Sequence, residues 1–304
     1  MIKKIIITGA SGFIGNKLLN FFLQKKYDVI GWDQKKADNS DYVKLVDMSN
    51  VIHIKQQLSE FRPDLIIHCA GSADVGFSVR EPYADYDGNV TLTHNLLFAA
   101  NELEMADTRF VFLSSAGVYG NPAVLPIKED AQMNPLSPYA LHKVMCEEIC
   151  FFFIRNYSFD IKIARIFSAY GAGLKKQIFW DMHKKIEETG QLNMFGTGNE
   201  SRDYIHIDDV VQALYLIATC NSDEVVFNVA NGQETTIRQA TELFAEYSCI
   251  GKDKINFNGY IREGDPINWR ADISKISALG YKQTTDINCG IQDYCKWIKQ
   301  ISME

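Results

Sequence analysis

The glycine-rich segment 8–15, TGASGFIG, restricts the fold more than any other feature of the sequence. It follows a short apolar run and leads directly into a helical pattern. Gly9 permits a tight turn, Gly12 lets the backbone approach a pyrophosphate, and Gly15 allows close helix packing. The helix N-terminus adds amide donors and a positive dipole. The predicted nucleotide contacts of this turn are Gly9, Ser11, Gly12, Phe13 and Ile14.

A second signal, Asp33, ends the next predicted strand about 20 residues further on. A carboxylate at this point of a strand–helix–strand unit accepts hydrogen bonds from ribose hydroxyls. Together the two signals predict a dinucleotide site. Asp33 favours NAD, because a 2′-phosphate would bring like charges together. Lys35 and Lys36 follow directly and are able to receive that phosphate, which leaves NADP open.

Short apolar runs alternate with segments of helical length and periodicity through the first half of the chain. This alternation predicts a doubly wound α/β fold, a parallel sheet covered by helices on both faces. The second half is less regular, carries several turn signals, and predicts a smaller lobe interleaved with the first. The predicted strands are 3–8, 28–33, 42–47, 65–70, 109–114 and 161–167, and the apolar segments 210–218 and 225–230 return to the sheet. We expect a nucleotide-binding domain at 1–167 plus about 208–230, and a substrate-binding lobe at about 168–207 and 231–304.

Bulk composition excludes several other classes of function. The 304 residues carry a net charge of -7, which provides no basic field for nucleic acid or an anionic membrane. Seven irregularly spaced cysteines without a CxxC pair favour a reducing compartment, and we expect a cytoplasmic protein. The apolar run at 5–7 is too short for a signal peptide or a spanning helix. No histidine has HExxH spacing, so no metal site is expected.

A group of hydroxyls and an amine predicts the catalytic chemistry. Ser114 and Ser115 come at the end of the fifth predicted strand, at the sheet edge where such folds bind ligands. Tyr139 and Lys143 stand four residues apart, on one face of a helix that Pro138 opens. A phenol that acts as a base near pH 7 needs its pKa lowered by about three units, roughly 4 kcal/mol. The adjacent ammonium shifts the pKa in that direction, and Ser115 would hydrogen-bond to the reacting oxygen.

With these motifs the chain resembles an extended short-chain dehydrogenase/reductase of the nucleotide-sugar epimerase/dehydratase family. Within that family it is similar to the UDP-glucose 4-epimerase-like type, which implies a Rossmann fold. The resemblance spans nearly the whole chain, and its motifs are TGASGFIG, HCAG, SSAGVYG, YALHK, ARIFSAYG, GTGNESRDYIHIDDV and REGDP. It implies that Ser115, Tyr139 and Lys143 are catalytic. It implies that the cofactor site includes Asp47, Met48, Ala70, Gly71, Ser114 and Phe167, together with Tyr139 and Lys143. It implies that the substrate site includes Ser115, Ser168, Gln177 and two arginines that bind the diphosphate, Arg202 and Arg262.

The chain departs from the pattern of this family at several positions. Ala140 and His142 replace the usual Gly and Ser of the tyrosine motif, and neither change removes a catalytic group. Ser168 stands where relatives usually carry Asn, and Ala172 replaces a frequent Pro; Lys175, Lys176 and Gln177 follow and are able to compensate. Dehydratases of the family place an acid pair after the catalytic hydroxyl. This chain has Ala116 and Gly117 there, so it lacks the acid and base for elimination of water.

Three functions remain consistent with the sequence. The first is an NAD-dependent epimerase that inverts C4 of a nucleotide diphosphate hexose through a transient ketone. The second is a reductase of nucleotide-linked 4-keto sugars, which consumes reduced cofactor. The third is a non-catalytic nucleotide sensor, since fold alone does not fix function. The resemblance also implies a homodimer through the helices near 90–103 and 149–154. The acids Asp208 and Asp209 are expected to cap the helix that follows them.

Overall fold

A computed structural model describes residues 2–35, 41–260 and 266–303. Its strands are β1 (Lys4–Thr8), β2 (Asp28–Asp33), β3 (Val43–Leu45), β4 (Leu65–His68), β5 (Arg109–Ser115), β6 (Ile161–Ile166), β7 (Ser168–Tyr170), β8 (Leu192–Met194), β9 (Ser201–Arg202), β10 (Tyr204–His206), β11 (Val226–Val229), β12 (Thr235–Thr236) and β13 (Ile255–Phe257). Its α-helices are α1 (Phe13–Gln24), α2 (Val51–Phe61), α3 (Val75–Arg80), α4 (Pro82–Tyr86), α5 (Leu92–Glu102), α6 (Pro138–Tyr157), α7 (Gln177–Thr189), α8 (Ile207–Thr219), α9 (Ile237–Tyr247), α10 (Ser274–Ala278) and α11 (Ile287–Ile301).

The central sheet has seven parallel strands in the order β11-β6-β5-β4-β1-β2-β3. This order confirms the predicted doubly wound fold, because the chain reverses direction across the sheet between β3 and β4. All six predicted strands form, although β3 keeps only 43–45 of the predicted 42–47 and β4 ends two residues early. The predicted return of 225–230 to the sheet is β11, which pairs with β6.

Helices on both faces of the sheet explain why its strands are continuously apolar. In β1, Ile5 and Ile7 point into one core, which α1 and α8 cover. Ile6 points into the opposite core, beneath α2, α5 and α6. All three isoleucines are fully buried. Because the strands are parallel, their carboxyl ends lie at one common edge, and this edge positions the site.

A third core belongs to a smaller lobe that the second half of the chain forms. It is built from α7, α9, α11 and short strands, with Phe179, Phe244 and Tyr294 packed together near its centre. The chain enters this lobe after β6 and returns to the sheet through α8 and β11. After β11 it leaves the sheet and enters the smaller lobe a second time. The predicted interleaving is therefore present. In the part of the chain that the structure describes, no helix is long and apolar enough to cross a membrane.

The segment 210–218 returns to the sheet as part of helix α8. The residue that caps the N-terminus of this helix differs from the prediction. Helix α8 begins at Ile207, and the acceptor at its N-cap is Nδ1 of His206, 3.4 Å from the Asp208 amide nitrogen. Asp209 does not cap the helix. Its carboxylate accepts hydrogen bonds from the backbone of Thr284 and Thr285. Both acids lie in the first turn of the helix, but the predicted capping is wrong, because Asp209 is held by a tertiary contact and Asp208 lies 3.6 Å from Nδ1 of His206.

Candidate active site

The glycine turn lies at the carboxyl end of β1, in the centre of the sheet. Gly9 has φ of 65°, and a Cβ built on it would lie 2.7 Å from the Ala70 amide nitrogen, at the end of β4. A Cβ on Gly15 would lie 2.2 Å from the carbonyl oxygen of Gly9. Both positions therefore exclude a side chain, one through its backbone conformation and the other because helix α1 packs directly on the turn.

Helix α1 begins in this turn without a side-chain cap. Gly12 is its N-cap residue, and among the described residues no side chain caps the first turn, which includes Phe13 and Ile14. Such amides, with the helix dipole behind them, bind phosphate. The Phe13 ring also faces the second lobe, since a Cβ on Gly173 would lie 3.7 Å from its Cδ2 atom. The N-terminal end of α1 is therefore situated between the lobes.

Asp33 lies beside the glycine turn, at the end of the neighbouring strand β2. Its Oδ2 atom accepts from the Ser11 amide at 2.9 Å, and its Oδ1 atom accepts from the Gln34 amide at 2.7 Å. The Ser11 hydroxyl in turn donates to the Lys35 carbonyl oxygen at 2.8 Å. These bonds fix the orientation of the carboxylate and attach the two loops to each other. Lys36 lies outside the described residues.

Asp47 and Met48 follow β3 at the same edge of the sheet. The Asp47 carboxylate accepts from the hydroxyl and the amide of Ser49 at 2.6 and 2.9 Å, and these bonds lower the pKa of Asp47 below its ordinary value. Met48 is buried, and the Asn95 amide group donates to its carbonyl oxygen at 3.2 Å. Asp47 is thus exposed at the sheet edge, whereas Met48 packs into the core beneath it.

Ala70 and Gly71 follow β4 and complete the wall opposite the glycine turn. The Ala70 amide donates to Oγ1 of Thr8 at 3.1 Å, and this hydroxyl lies 2.7 Å from Nδ1 of His68. Burial, reinforced by the charge of Lys143, lowers the pKa of His68 to about 3, so the imidazole is neutral. Its role is to hold the ends of β1 and β4 together. Within the protein this histidine therefore has a structural role at the sheet edge.

The catalytic candidates come from β5 and α6. Ser115 is the last residue of β5, and a Cβ built on Gly117 would lie 3.3 Å from its hydroxyl oxygen and 3.4 Å from Cβ of Ala140. The hydroxyl therefore faces the first turn of α6. Lys143 is buried, donates from Nζ to the Leu113 carbonyl oxygen at 3.0 Å, and lies 5.9 Å from the centre of the Tyr139 ring. The ammonium is thus held next to the phenol by the strand that carries the serine.

Ser114 points away from this trio, into a buried polar network. Its hydroxyl donates to Oε1 of Glu147 at 2.5 Å, and Arg165 donates to both carboxylate oxygens of Glu147 at 2.9 and 2.7 Å. Arg165 also donates to the hydroxyl of Tyr119 at 2.8 Å. The pKa of Arg165 is raised above its ordinary value, with hydrogen bonds and the charge of Glu147 outweighing burial. This network fixes β5, β6 and α6 beneath the candidate site.

Arg202 and Ser168 reach the site from the second lobe. The guanidinium of Arg202 lies 5.7 Å from the centre of the Trp269 ring, which packs edge-on against Phe167 at 5.8 Å. Phe167 follows β6 directly, so this aromatic pair connects Arg202 to the sheet edge. The Ser168 amide donates to the Asp203 carbonyl oxygen at 3.1 Å, which places Ser168 beside the strand that carries Arg202. Trp269 was not predicted from the sequence, since it lies in no periodic segment.

Gln177 and Lys176 open helix α7, on the side of the cleft that faces the loop after β4. Gln177 is exposed and has φ of 66°, and within the described chain its side chain makes no hydrogen bond to another predicted site residue. Nζ of Lys176 lies 3.5 Å from the Ala73 carbonyl oxygen, and burial lowers the pKa of this amine. Lys176 therefore bridges the two lobes more directly than Gln177. The predicted contact Arg262 lies outside the described residues.

Most of the predicted positions thus meet at one edge. The structure brings together the ends of β1, β2, β4 and β5, the first two turns of α6, and the strand that carries Arg202. A doubly wound sheet with a glycine turn at this edge, and with Ser, Tyr and Lys on β5 and α6, defines a short-chain dehydrogenase/reductase.

Comparison with known proteins narrows this class. The model of the NAD dependent epimerase/dehydratase family matches residues 5–230. The chain belongs to that family. A UDP-glucose 4-epimerase of Mycolicibacterium smegmatis is 33% identical over 252 residues, which cover 78% of this chain and 80% of that relative.

Two solved structures resemble the whole chain. The UDP-glucose 4-epimerase of Thermotoga maritima, crystallised with UDP-glucose, gives a TM-score of 0.90 at 27% identity. The similarity covers 99% of this chain and 100% of the Thermotoga chain. The UDP-glucuronic acid 4-epimerase of Bacillus cereus, in complex with UDP-glucuronic acid and NAD, gives a TM-score of 0.88 at 26% identity and covers 98% of this chain and 99% of its own. Both similarities extend over the two lobes.

Proposed function

We propose that the protein is an NAD-dependent epimerase that inverts C4 of a hexose carried on uridine or thymidine diphosphate. The observation that carries the proposal is the arrangement of Ser115, Tyr139 and Lys143 beside the glycine turn, at one edge of the sheet. Membership of the epimerase/dehydratase family and the similarity to UDP-sugar 4-epimerases support it. The division into a nucleotide-binding domain and a substrate lobe at 168–207 and 231–304 is part of the proposal.

The residues present fit NAD. The turn at Gly9 and Gly15 leaves no room for side chains, and in the described part of the chain no side chain caps the start of α1. Asp33 stands beside them with a fixed carboxylate, where the two ribose hydroxyls of an adenosine would donate to it. Asp47 and Met48 would contact the adenine, and Ala70, Gly71 and Phe167 the remainder. Ser114 would contribute through its backbone alone, because its hydroxyl is bonded to Glu147. When bound, NAD accepts a hydride from C4 of the sugar and returns it.

The protein's part in the reaction is to move a proton and to hold the sugar. The Tyr139 phenolate would remove the proton from the C4 hydroxyl and give it back after the ketone has turned over in the cleft. Lys143 would be the counter-charge to this oxygen, since its Nζ atom lies 5.9 Å from the centre of the Tyr139 ring. Ser115 would donate a hydrogen bond to the C4 oxygen. Oxidation and reduction cancel, so no reduced cofactor is consumed.

The diphosphate would be held from the second lobe. The Arg202 guanidinium lies 5.7 Å from the centre of the Trp269 ring, and its Nη1 atom donates to the carbonyl oxygens of Ser201 and Ile267. With the substrate bound, the guanidinium would turn its forked donors to the phosphates. Arg262 is assigned the same role by resemblance alone. Ser168 occupies a position where relatives usually carry Asn, and Lys176 and Gln177 border the same cleft. We propose that Ser168 and Gln177 contact the substrate there.

Elimination of water is a poorer fit to the same site. The residues after Ser115 are Ala116 and Gly117, in a short 3-10 turn that carries no ionisable side chain before Tyr119. Burial raises the pKa of Tyr119 well above its ordinary value, and this phenol donates to Asn228 inside the network. The turn therefore supplies no general acid at the position that a dehydratase uses.

The test is to incubate the protein with UDP- and dTDP-hexoses and substoichiometric NAD, and to follow the products by proton NMR. Many turnovers per NAD with no net change in nicotinamide absorbance support the epimerase. Tyr139→Phe is the matched control, since it removes only one oxygen and is expected to lose at least about 100-fold in kcat while NAD still binds. Oxidation of reduced cofactor, one for one with a 4-keto sugar, would instead establish a reductase.

Arg202→Ala gives an independent check on the substrate class. Loss of a charge-assisted contact is expected to weaken binding of the nucleotide sugar by about 1.5 to 3 kcal/mol. NAD affinity should not change, because Arg202 lies on the second lobe. Unchanged affinity for every nucleotide sugar would contradict the proposed diphosphate site.

We also propose a cytoplasmic homodimer. The outer face of α5 and α6 has a groove of about 440 Å³ that Phe98, Ile149, Phe152 and Tyr157 line. Phe98, Phe152 and Tyr157 are 40%, 48% and 42% exposed, an unusual set of neighbours for a free surface. A second copy with the same face would cover it. Light scattering at micromolar concentration should give twice the monomer mass, and Phe152→Asp should give the monomer.

A further inference from the structure

Helix α6 carries, between its two catalytic candidates, a buried ion-pairing side chain that the proposed chemistry does not use. His142 lies one residue before Lys143, is 7% exposed, and replaces the usual Ser of the tyrosine motif. Its Nδ1 atom lies 2.6 Å from Oδ2 of Asp85, which is fully buried in α4. The short distance is that of a charge-assisted hydrogen bond, with the imidazole N–H as donor.

The Asp85 carboxylate depends on this histidine. Among the described residues no other group donates a hydrogen bond to it, and its Oδ1 atom is buried without a partner. Burial of a carboxylate is costly unless it is paired. The ring of Tyr86 closes the pair from the side, edge-on to His142 at 5.5 Å. The position of α4 is therefore coupled to the first turns of α6 through one specific contact.

The same acid is connected to the loop that borders the cofactor cleft. The side-chain amide of Asn89 donates to the Asp85 carbonyl oxygen at 2.9 Å. Oδ1 of Asn89 packs against Gly71, where a Cβ would lie only 2.6 Å from it. A continuous series of contacts thus extends from the loop after β4, through Asn89 and Asp85, to His142. At its end lie the side chains that must face the reacting sugar.

We propose that Asp85 and His142 form a positioning pair, which fixes Tyr139 and Lys143 relative to the cofactor loop at 70–71. Neither residue touches the reacting atoms, so the pair acts through the geometry of α6. Displacements of about 1 Å at a reacting centre lower the rate strongly. Loss of the pair should therefore lower kcat more than it weakens substrate binding. The expected change in kcat rests on the proposed function.

The test compares two substitutions of His142 in the NAD-loaded protein. His142→Leu removes the donor at similar volume, and His142→Asn keeps an N–H donor close to the position of Nδ1. We expect His142→Leu to lower kcat per bound NAD at least tenfold, with KM changed less than threefold, and His142→Asn to stay within threefold of wild type in both. The matched control is His183→Leu on α7, where the histidine packs against Trp180 with its ring tilted, and it should leave both constants unchanged.

A role in stability alone would give a different result. It would lower the unfolding midpoint of His142→Leu but leave kcat per bound NAD unchanged, and that outcome overturns the proposal. An Asn variant as impaired as the Leu variant also overturns it, since the donor would then not matter. If His142→Leu does not fold, Asp85→Asn is added to remove the unpaired charge, and the same loss of kcat is expected in the double variant.

A second readout separates this inference from the proposed reaction. Hydrogen exchange of the amides at 139–146, measured by mass spectrometry on the NAD-loaded protein, requires no substrate. We expect exchange at least tenfold faster in His142→Leu and unchanged in His142→Asn. If no nucleotide sugar is turned over by the wild type, the proposed function fails, and the exchange result alone decides the pair. Wild-type exchange in His142→Leu overturns it.

Discussion

Glu147→Leu is the substitution for which the structure gives the clearest magnitude. Glu147 is fully buried, and its carboxylate accepts three hydrogen bonds, two from Arg165 and one from Ser114. Arg165 is itself 3% exposed, so removal of the acid leaves a buried guanidinium without a counter-charge. Breaking such a pair from one side costs about 3 to 5 kcal/mol. That is a large part of the 5 to 15 kcal/mol typical of whole proteins.

The assay is urea unfolding of four proteins: wild type, Glu147→Leu, Arg165→Leu and the double variant. Each single variant should lose about 3 to 5 kcal/mol, because each leaves one buried charge unpaired. The double variant leaves none, so it should lose at least about 2 kcal/mol less than the two losses together. Glu188→Leu, at an exposed position of helix α7 away from this network, should stay within about 0.5 kcal/mol of wild type.

Two results would refute this reasoning. A loss below about 1 kcal/mol in Glu147→Leu would mean that water or rearranged side chains solvate Arg165 once the acid is gone. Strict additivity in the double variant would mean that the two residues act independently, although they lie 2.7 Å apart. In either case the network beneath β5 could not be what fixes the strand that carries Ser114 and Ser115.

Three further predictions concern the cofactor side of the site. Gly15→Ala should abolish NAD binding in a fluorescence titration, because its Cβ would lie 2.2 Å from the Gly9 carbonyl oxygen and must displace the turn; wild-type affinity would contradict the described packing. Direct titration should show tighter binding of NAD than of NADP, with the preference reduced in Asp33→Ser; a preference for NADP would show that Asp33 does not select the ribose. Since the pKa of His68 falls from 6.5 to about 3 on folding, stability is complete above pH 6.5 and should decline by about 2 kcal/mol at pH 5, where only the unfolded state takes up the proton. Urea unfolding of His68→Asn should lack this part of the acid dependence, and an unchanged dependence would exclude His68 as its source.

The fold was predictable where sequence signals are local. The glycine spacing at 9, 12 and 15 follows from sterics within a single turn, and the structure shows the close contacts that require it. Strand lengths were less certain, because β3 and β4 end where side chains such as Asp47 begin to bond to their own loops. The apolar periodicity of the sequence does not show where side chains will compete with the strand for backbone hydrogen bonds.

Contacts between distant parts of the chain were not predictable in the same way. Trp269 packs edge-on against Phe167 and faces Arg202, which is 67 positions away along the chain, and no spacing rule links them. The pairing of Asp85 with His142 is of the same kind, although the sequence did mark His142 as a departure from the family pattern. Both contacts depend on how the second lobe and the helices pack against the sheet, which is a tertiary property.

Asp208 and Asp209 show why local rules fail at such points. An acid in the first turn of a helix gains from a free amide and from the dipole, and either effect is worth about 1 kcal/mol. Asp209 accepts from both backbone amides of Thr284 and Thr285 and from the hydroxyl of Thr284 at 2.5 Å. Three bonds to a buried carboxylate exceed one capping bond, so the tertiary arrangement prevails. His206 then supplies the local acceptor at the helix start, and Asp209 instead attaches the segment before α11 to α8, where the chain of the smaller lobe returns to the sheet.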